Sequence, residues 1–112
     1  MHSRMQRPQQ WLLFQLHNPT RSGEHVSYSV TVDGESVRLT KKEYNLLIPF
    51  MRNAGRITTH KGLLLQLWGP ANENDVQYLR VFVGRLRQKL RDDPAAPRFI
   101  LNEPGVGYRL LD

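Results

Sequence analysis

Cysteine is absent from the 112-residue chain. That excludes disulfides, thiolate zinc sites and cysteine nucleophiles, and it mildly favours a reducing compartment. Long apolar runs are missing too. Mean hydropathy is −0.53, and the longest apolar cluster, Leu63 to Trp68, is interrupted by Gln66. A membrane span needs roughly 20 apolar residues, so none is expected and no membrane partner with it. The first residues carry Arg4, Gln6, Arg7, Gln9 and Gln10 ahead of the short Trp11 to Phe14 cluster. They lack the apolar core of a secretory signal, and cytoplasmic residence is expected. Catalytic signatures are also absent: no His-Glu-x-x-His, no glycine-rich phosphate loop and no nucleophile elbow. Four histidines, His2, His17, His25 and His60, stand among ten scattered carboxylates. No enzymatic activity, metal or cofactor is expected.

Acid is scarce in one region only. Residues 41–91 hold ten Lys or Arg against three acids, and the rest of the chain holds six against seven, so the net charge of +6 sits in the middle segment. A polyanion such as nucleic acid is drawn to such a stripe by Coulomb attraction and counterion release. A solvated basic surface gives the same count, and charge alone leaves both readings open.

The length and a hydrophobic content of 39% suit one domain with one core. Residues 1–10 are polar, Gln-rich and aperiodic, and read as a mobile tail. Trp11 to His17 reads as a short strand, and Asn18 to Gly23 as a loop. Tyr28, Val30 and Val32 then alternate with polar residues, as do Val37 and Leu39 beyond Asp33-Gly34. That dipeptide suits a tight turn, which predicts a β-hairpin with one apolar face.

Thr40-Lys41-Lys42-Glu43 fits a capping box, so a helix is predicted to start there. Tyr44, Leu47, Ile48 and Met51 supply its core spacing, and Gly55 its stop. Pro49 inside it costs roughly 3 kcal/mol, which predicts a kink or an early end. A second helix, capped by Thr58 or Thr59, turns Leu63, Leu64, Leu67 and Trp68 inward and stops at Gly69-Pro70. Asn74 or Asp75 caps a third, in which Val76, Leu79, Val83, Leu86 and Leu90 form one core stripe. Asp93-Pro94 is predicted to end it. Arg98 to Glu103 and Gly107 to Leu111 form a last hairpin around Pro104-Gly105. The whole is one domain over 11–112, with strands in 11–39, three helices in 40–92 and a hairpin in 98–111.

The third helix carries the chemistry. Opposite its core stripe lie Gln77, Arg80, Val81, Gly84, Arg85 and Gln88, with Arg87, Lys89 and Arg91 toward the flanks, and no acid occurs from Val76 to Arg91. A helix fits the DNA major groove, where an arginine fork matches the paired acceptors of guanine. Gly84 weakens the helix but lets that face approach another surface closely. A solvated basic face remains the competing reading. A membrane-surface helix fits less well, because the apolar stripe is needed for the core.

Three helices followed by a hairpin make a helix-turn-helix with a wing, and Val37 to Leu110 resembles the DNA-binding effector domain of OmpR/PhoB-type response regulators. The shared strings are Leu39-Thr40-x-x-Glu43-Tyr44-x-Leu46-Leu47, Asn53-Ala54-Gly55-Arg56 and Leu63-Leu64-x-Gln66-x-Trp68-Gly69-Pro70. Further on come Tyr78-Leu79-Arg80-Val81, Gly84-x-Leu86-Arg87-Gln88-Lys89-Leu90, Asp93-Pro94, Pro97-Arg98 and Gly105-Val106-Gly107-Tyr108-Arg109. The strings fall in family order and cover about two-thirds of the chain. They are most similar to the branch that controls potassium-transport genes.

The resemblance implies an α+β winged helix-turn-helix with an N-terminal antiparallel sheet, three helices and a C-terminal wing. It implies sequence-specific binding of double-stranded DNA in transcription control. Base contacts would come from Gln77, Arg80 and Arg85. Many members place an arginine in the wing where this chain has Asn102, Glu103 and Pro104, which leaves Asn102 as the wing's base contact. Phosphate contacts would come from His60, Lys61, Trp68, Tyr78 and Arg87. For His60 and Lys61 the physics agrees, because a helix N-terminus offers free amides to phosphate. Trp68 reads equally as a core aromatic at a helix end. The loop holding Gly69, Asn72, Glu73 and Asn74 lies where such domains touch RNA polymerase, and reads equally as a connector. The short N-terminal segment cannot house a receiver domain, so the chain is expected to be a fragment or an orphan effector. Alone it would be a monomer, with dimers on repeated half-sites. A non-catalytic winged-helix module for protein or RNA is the competing function, because fold does not fix function.

Overall fold

The computed structural model describes residues 14–72 and 75–111. The expected tail at 1–10, and Trp11 to Leu13 of the expected first strand, lie outside them. In order come β1 (Phe14–Leu16), β2 (Thr20–Ser22), β3 (His25–Val32), β4 (Glu35–Leu39), α1 (Lys41–Arg52), β5 (Ile57–Thr59) and α2 (His60–Trp68). A 3₁₀ turn (Pro70–Asn72), α3 (Val76–Leu90), β6 (Ile100–Glu103) and β7 (Gly107–Leu110) follow. This is the α+β winged-helix architecture. Among the described residues no helix is long and apolar enough to cross a membrane.

β3 organises the first sheet. It pairs antiparallel with β1 through Leu16↔Val30 and Phe14↔Val32, with β2 through Ser22↔His25, and with β4 from Tyr28↔Leu39 to Val32↔Glu35. The expected hairpin turn is present, with Asp33 at φ 51° and Gly34 at φ 84°. Two consecutive positive φ values match the strand twist, which is why an Asp-Gly pair stands there. The loop expected at Asn18 to Gly23 is corrected, since Thr20 to Ser22 forms β2. Polar residues fit that strand because it is exposed throughout, so it shows no apolar alternation to read.

The capping box forms as expected: the Thr40 hydroxyl accepts from the Glu43 amide at 3.2 Å, and Glu43 Oε1 accepts from the Thr40 amide at 2.8 Å. α1 does not end early at Pro49 but runs to Arg52. The Pro49 carbonyl accepts from both the backbone and the side-chain amide of Asn53, and Phe50, one residue on, is fully buried. Burying a phenylalanine contributes about 1.5–3 kcal/mol, comparable to the cost of the proline. Leu46 and Phe50 are fully buried, whereas Ile48 and Met51, expected in the core, only pack against its edge.

α3 stops before Asp93-Pro94. Arg91 turns left-handed at φ 58°, and its amide and that of Asp92 close onto the Arg87 carbonyl. This early reversal brings Asp92 inward, where it joins the wing to the helix. The wing itself is a three-stranded sheet in the order β5-β7-β6, because Ile57–Thr59 pairs with β7. Gly107 makes that pairing possible: a Cβ there would lie 2.0 Å from the Thr58 carbonyl oxygen. One core joins all layers, with Val30, Val32 and Leu39 from the sheet, Leu63 and Leu64 from α2, and Leu79, Val83, Leu86 and Leu90 from α3. Phe99, Ile100 and Leu110 complete it from the wing.

Candidate nucleic-acid interface

The core stripe of α3 fixes what its other side shows. With Leu79, Val83, Leu86 and Leu90 buried, the residues Gln77, Arg80, Val81, Gly84, Arg85 and Gln88 are all exposed. The Asp75 carboxylate caps the helix, accepting from the Tyr78 amide at 3.4 Å.

Five cations lie between Val76 and Arg91, but three are neutralised within the fold. Lys89 Nζ donates to Glu43 Oε1 at 2.8 Å, Arg91 grips Glu35 with both terminal nitrogens at 3.0 and 3.1 Å, and Arg87 meets Asp92 at 3.0 Å. Burial alone would raise the Glu43 carboxyl, but the Lys89 ammonium and the Thr40 amide hold it below the ordinary carboxylate range. The Arg91 and Glu35 side chains are both mostly exposed, so solvent screens that pair and it adds little to stability. Arg80 and Arg85 have no ion-pair partner among the described residues. Net charge on the helix therefore overstates its working charge, which sits on these two arginines.

Arg85 lies with its guanidinium carbon 5.7 Å from the Phe82 ring centroid. Phe82 belongs to a three-ring cluster with Trp68 and Tyr78, whose centroids are 5.0–5.5 Å apart. Trp68 is half-buried with its indole nitrogen inside, packs against the core as the core reading expects, and touches the exposed Tyr78. Lys42 Nζ stands 5.4 Å over the Trp68 ring. Sequence reasoning missed Lys42, because nothing in its spacing says that the start of α1 lies beside the end of α2.

On the opposite flank of α3, Arg80, Gly84 and Arg87 face Asn102 and Tyr108 across an open groove. Arg80 and Asn102, two of the expected base contacts, are thus brought together, and both are exposed. Arg87 is not the exposed flank residue that its spacing suggested: its side chain is 8% exposed and its partner Asp92 is fully buried. Asp92 is the joint here, because its two oxygens also accept from the amides of Arg98, Phe99 and Ile100. Sequence reasoning missed that role as well. An acid one residue before Asp93-Pro94 carries no signal of being buried.

Thr59 caps α2, its hydroxyl accepting from the Gly62 amide at 3.1 Å, and Lys61 in that first turn is exposed. His60 is buried, its amide donates to the Val106 carbonyl, and its ring meets Tyr108 edge-on at 5.5 Å. Burial, and to a lesser degree the charge of Arg80, push the imidazole below the ordinary value of 6.5. For a base this means that the unfolded chain takes up the proton first. Stability from this group is complete above about pH 6.5, falls as pH drops through that value, and levels off below the depressed folded one. Urea midpoints at pH 7.5 and 5.5 should accordingly fall further for the wild type than for His60→Gln. Equal falls would mean that the His60 site accepts the proton freely.

Of the expected polymerase-facing loop, Gly69 ends α2 and donates to the carbonyls of Leu64 and Leu65, and Asn72 closes the 3₁₀ turn. Glu73 and Asn74 lie outside the described residues.

Comparison with known proteins agrees with this fold. Residues 34–110 match the family described as transcriptional regulatory protein, C terminal. The chain is 47% identical over 77 residues to the KDP operon transcriptional regulatory protein KdpE of Escherichia coli, covering 69% of this chain and 34% of that one. It is 44% identical over 80 residues to KdpE of Mycobacterium tuberculosis, covering 71% and 35%. The chain thus spans about a third of the length of these relatives. Among solved structures, the Klebsiella pneumoniae RstA DNA-binding domain in complex with RstA box superposes with a TM-score of 0.69 at 26% identity, over 85% of this chain and 98% of that one. The response regulator DrrB, an OmpR/PhoB homologue from Thermotoga maritima, gives 0.65 at 28% identity, over 98% and 50%.

Proposed function

Since the chain belongs to the family of C-terminal domains of transcriptional regulatory proteins, of the OmpR/PhoB type, we propose that it binds double-stranded DNA sequence-specifically, as the effector domain of a two-component response regulator. α3 lies in the major groove, with Arg80 and Arg85 reading guanine edges and Gln77 and Asn102 adding base contacts. The observation that carries this reading is the pairing pattern on α3: the fold neutralises Arg87, Lys89 and Arg91 and leaves Arg80 and Arg85 on the exposed face.

Lys61 at the start of α2 and the exposed Tyr78 hold phosphates along the duplex, with His60 buried beside Lys61 and Trp68 packed against Tyr78 in support. Arg87, at the floor of the groove between α3 and the wing, supports that contact from below. The target is a KdpE-like operon, of potassium-transport genes as the resemblance implies. The loop with Gly69, Asn72, Glu73 and Asn74 faces RNA polymerase. The chain works in the cytoplasm without catalysis, is a monomer alone, and pairs on repeated half-sites.

Equilibrium binding to a duplex across a salt series tests this. Affinity for duplex DNA should fall steeply and log-linearly with salt, whereas binding to a protein partner would change little. Lys61→Ala should weaken binding to all duplexes alike and flatten the slope by about one charge. An unchanged slope would remove Lys61 from the interface.

A further inference from the structure

Two glycines lie inside helices, Gly62 in α2 and Gly84 in α3, and only the first has a reason within the fold. A Cβ on Gly62 would approach the Thr59 hydroxyl to 3.0 Å, the same hydroxyl that caps α2 by accepting from the Gly62 amide at 3.1 Å. A Cβ on Gly84 would meet no atom within 4 Å, and its φ is not positive. Alanine fits there freely and forms helix better, so folding alone favours a side chain at this position.

Gly84 is exposed at the middle of the face formed by Gln77, Val81 and Gln88, between Arg80 and Arg85. It also borders the groove that separates α3 from Asn102. The helix backbone is therefore laid bare where a partner's surface would come nearest.

We infer that Gly84 sets how deeply α3 seats in the DNA major groove, and is thereby a specificity-determining residue. This rests on the duplex-binding reading. Base contacts by Arg80 and Arg85 require their forks to reach a fixed depth, and a methyl group between them holds the helix off. Phosphate attraction is longer in range and tolerates the shift.

The test uses the wild-type chain, Gly84→Ala and Gly84→Leu. The probes are a fluorescent duplex recovered by wild-type selection from a random pool and a random-sequence duplex of equal length. Urea unfolding is followed without DNA. Gly84→Ala should raise the folded-to-unfolded ratio about fivefold. It should weaken binding to the selected duplex roughly tenfold, as much as one mismatched base pair, with the random duplex changed by less than about twofold. Gly84→Leu should lose more affinity and again no stability. Unchanged binding of the selected duplex, equal losses on both duplexes, or a less stable Gly84→Ala would each overturn the inference. Failure of the wild type to select any duplex would instead remove the DNA reading beneath it.

Discussion

Asp92→Ala is expected to lower stability by about 3–5 kcal/mol, the cost of leaving one member of a buried ion pair alone. The Arg87 guanidinium would stay buried without its partner, and the amides of Arg98, Phe99 and Ile100 would lose their acceptor. The orphaned amides are part of that cost, relieved where water enters. The loss should reach function as well as folding, because these bonds fix where the wing leaves α3. Asp92→Asn keeps one acceptor oxygen but removes the charge that Arg87 needs, and should fall between wild type and alanine. Urea unfolding of the three proteins checks the order. A loss under about 1 kcal/mol for Asp92→Ala would show that the joint is solvated rather than buried.

Arg85→Ala carries the second large effect, this time on binding. It should cost about 1–3 kcal/mol for the preferred duplex and relax sequence preference at one base position. The cation–π contact to Phe82 holds the guanidinium near the aromatic cluster, so part of the ordering of this long side chain is done before DNA arrives. Lys89→Ala offers a contrast, since Lys89 is held by Glu43 and the Arg38 carbonyl. It should change stability more than sequence preference. Equal losses for Arg85→Ala on preferred and random duplexes would make Arg85 a phosphate contact.

The parts of the fold legible in the sequence were those set by local chemistry. Capping of α1 by Thr40 and Glu43, the Asp33-Gly34 turn and the stripe from Leu79 to Leu90 each depend on neighbours within one or two turns of chain. β5 was not legible, because three residues are too few for alternation to show and its partner is some fifty residues away. Nor was the continuation of α1 past Pro49, which depends on Phe50 finding the core. At the interface, the exposed positions of α3 could be listed from periodicity alone. Which cations were still available could not. Lys89, Arg91 and Arg87 find Glu43, Glu35 and Asp92, and two of those partners come from elements more than forty residues away. Long-range pairing thus turned a stripe of five cations into a pair of arginines, and no charge count could have done so.

Selection of bound duplexes from a random pool, run in parallel with wild type, Arg80→Ala and Arg85→Ala, tests the central claim most directly. The wild type should enrich a short motif containing guanine, and each variant should lose preference at a different base position while keeping the rest. Enrichment of no motif, or of one motif left unchanged by both substitutions, would contradict the claim that these two arginines read the DNA.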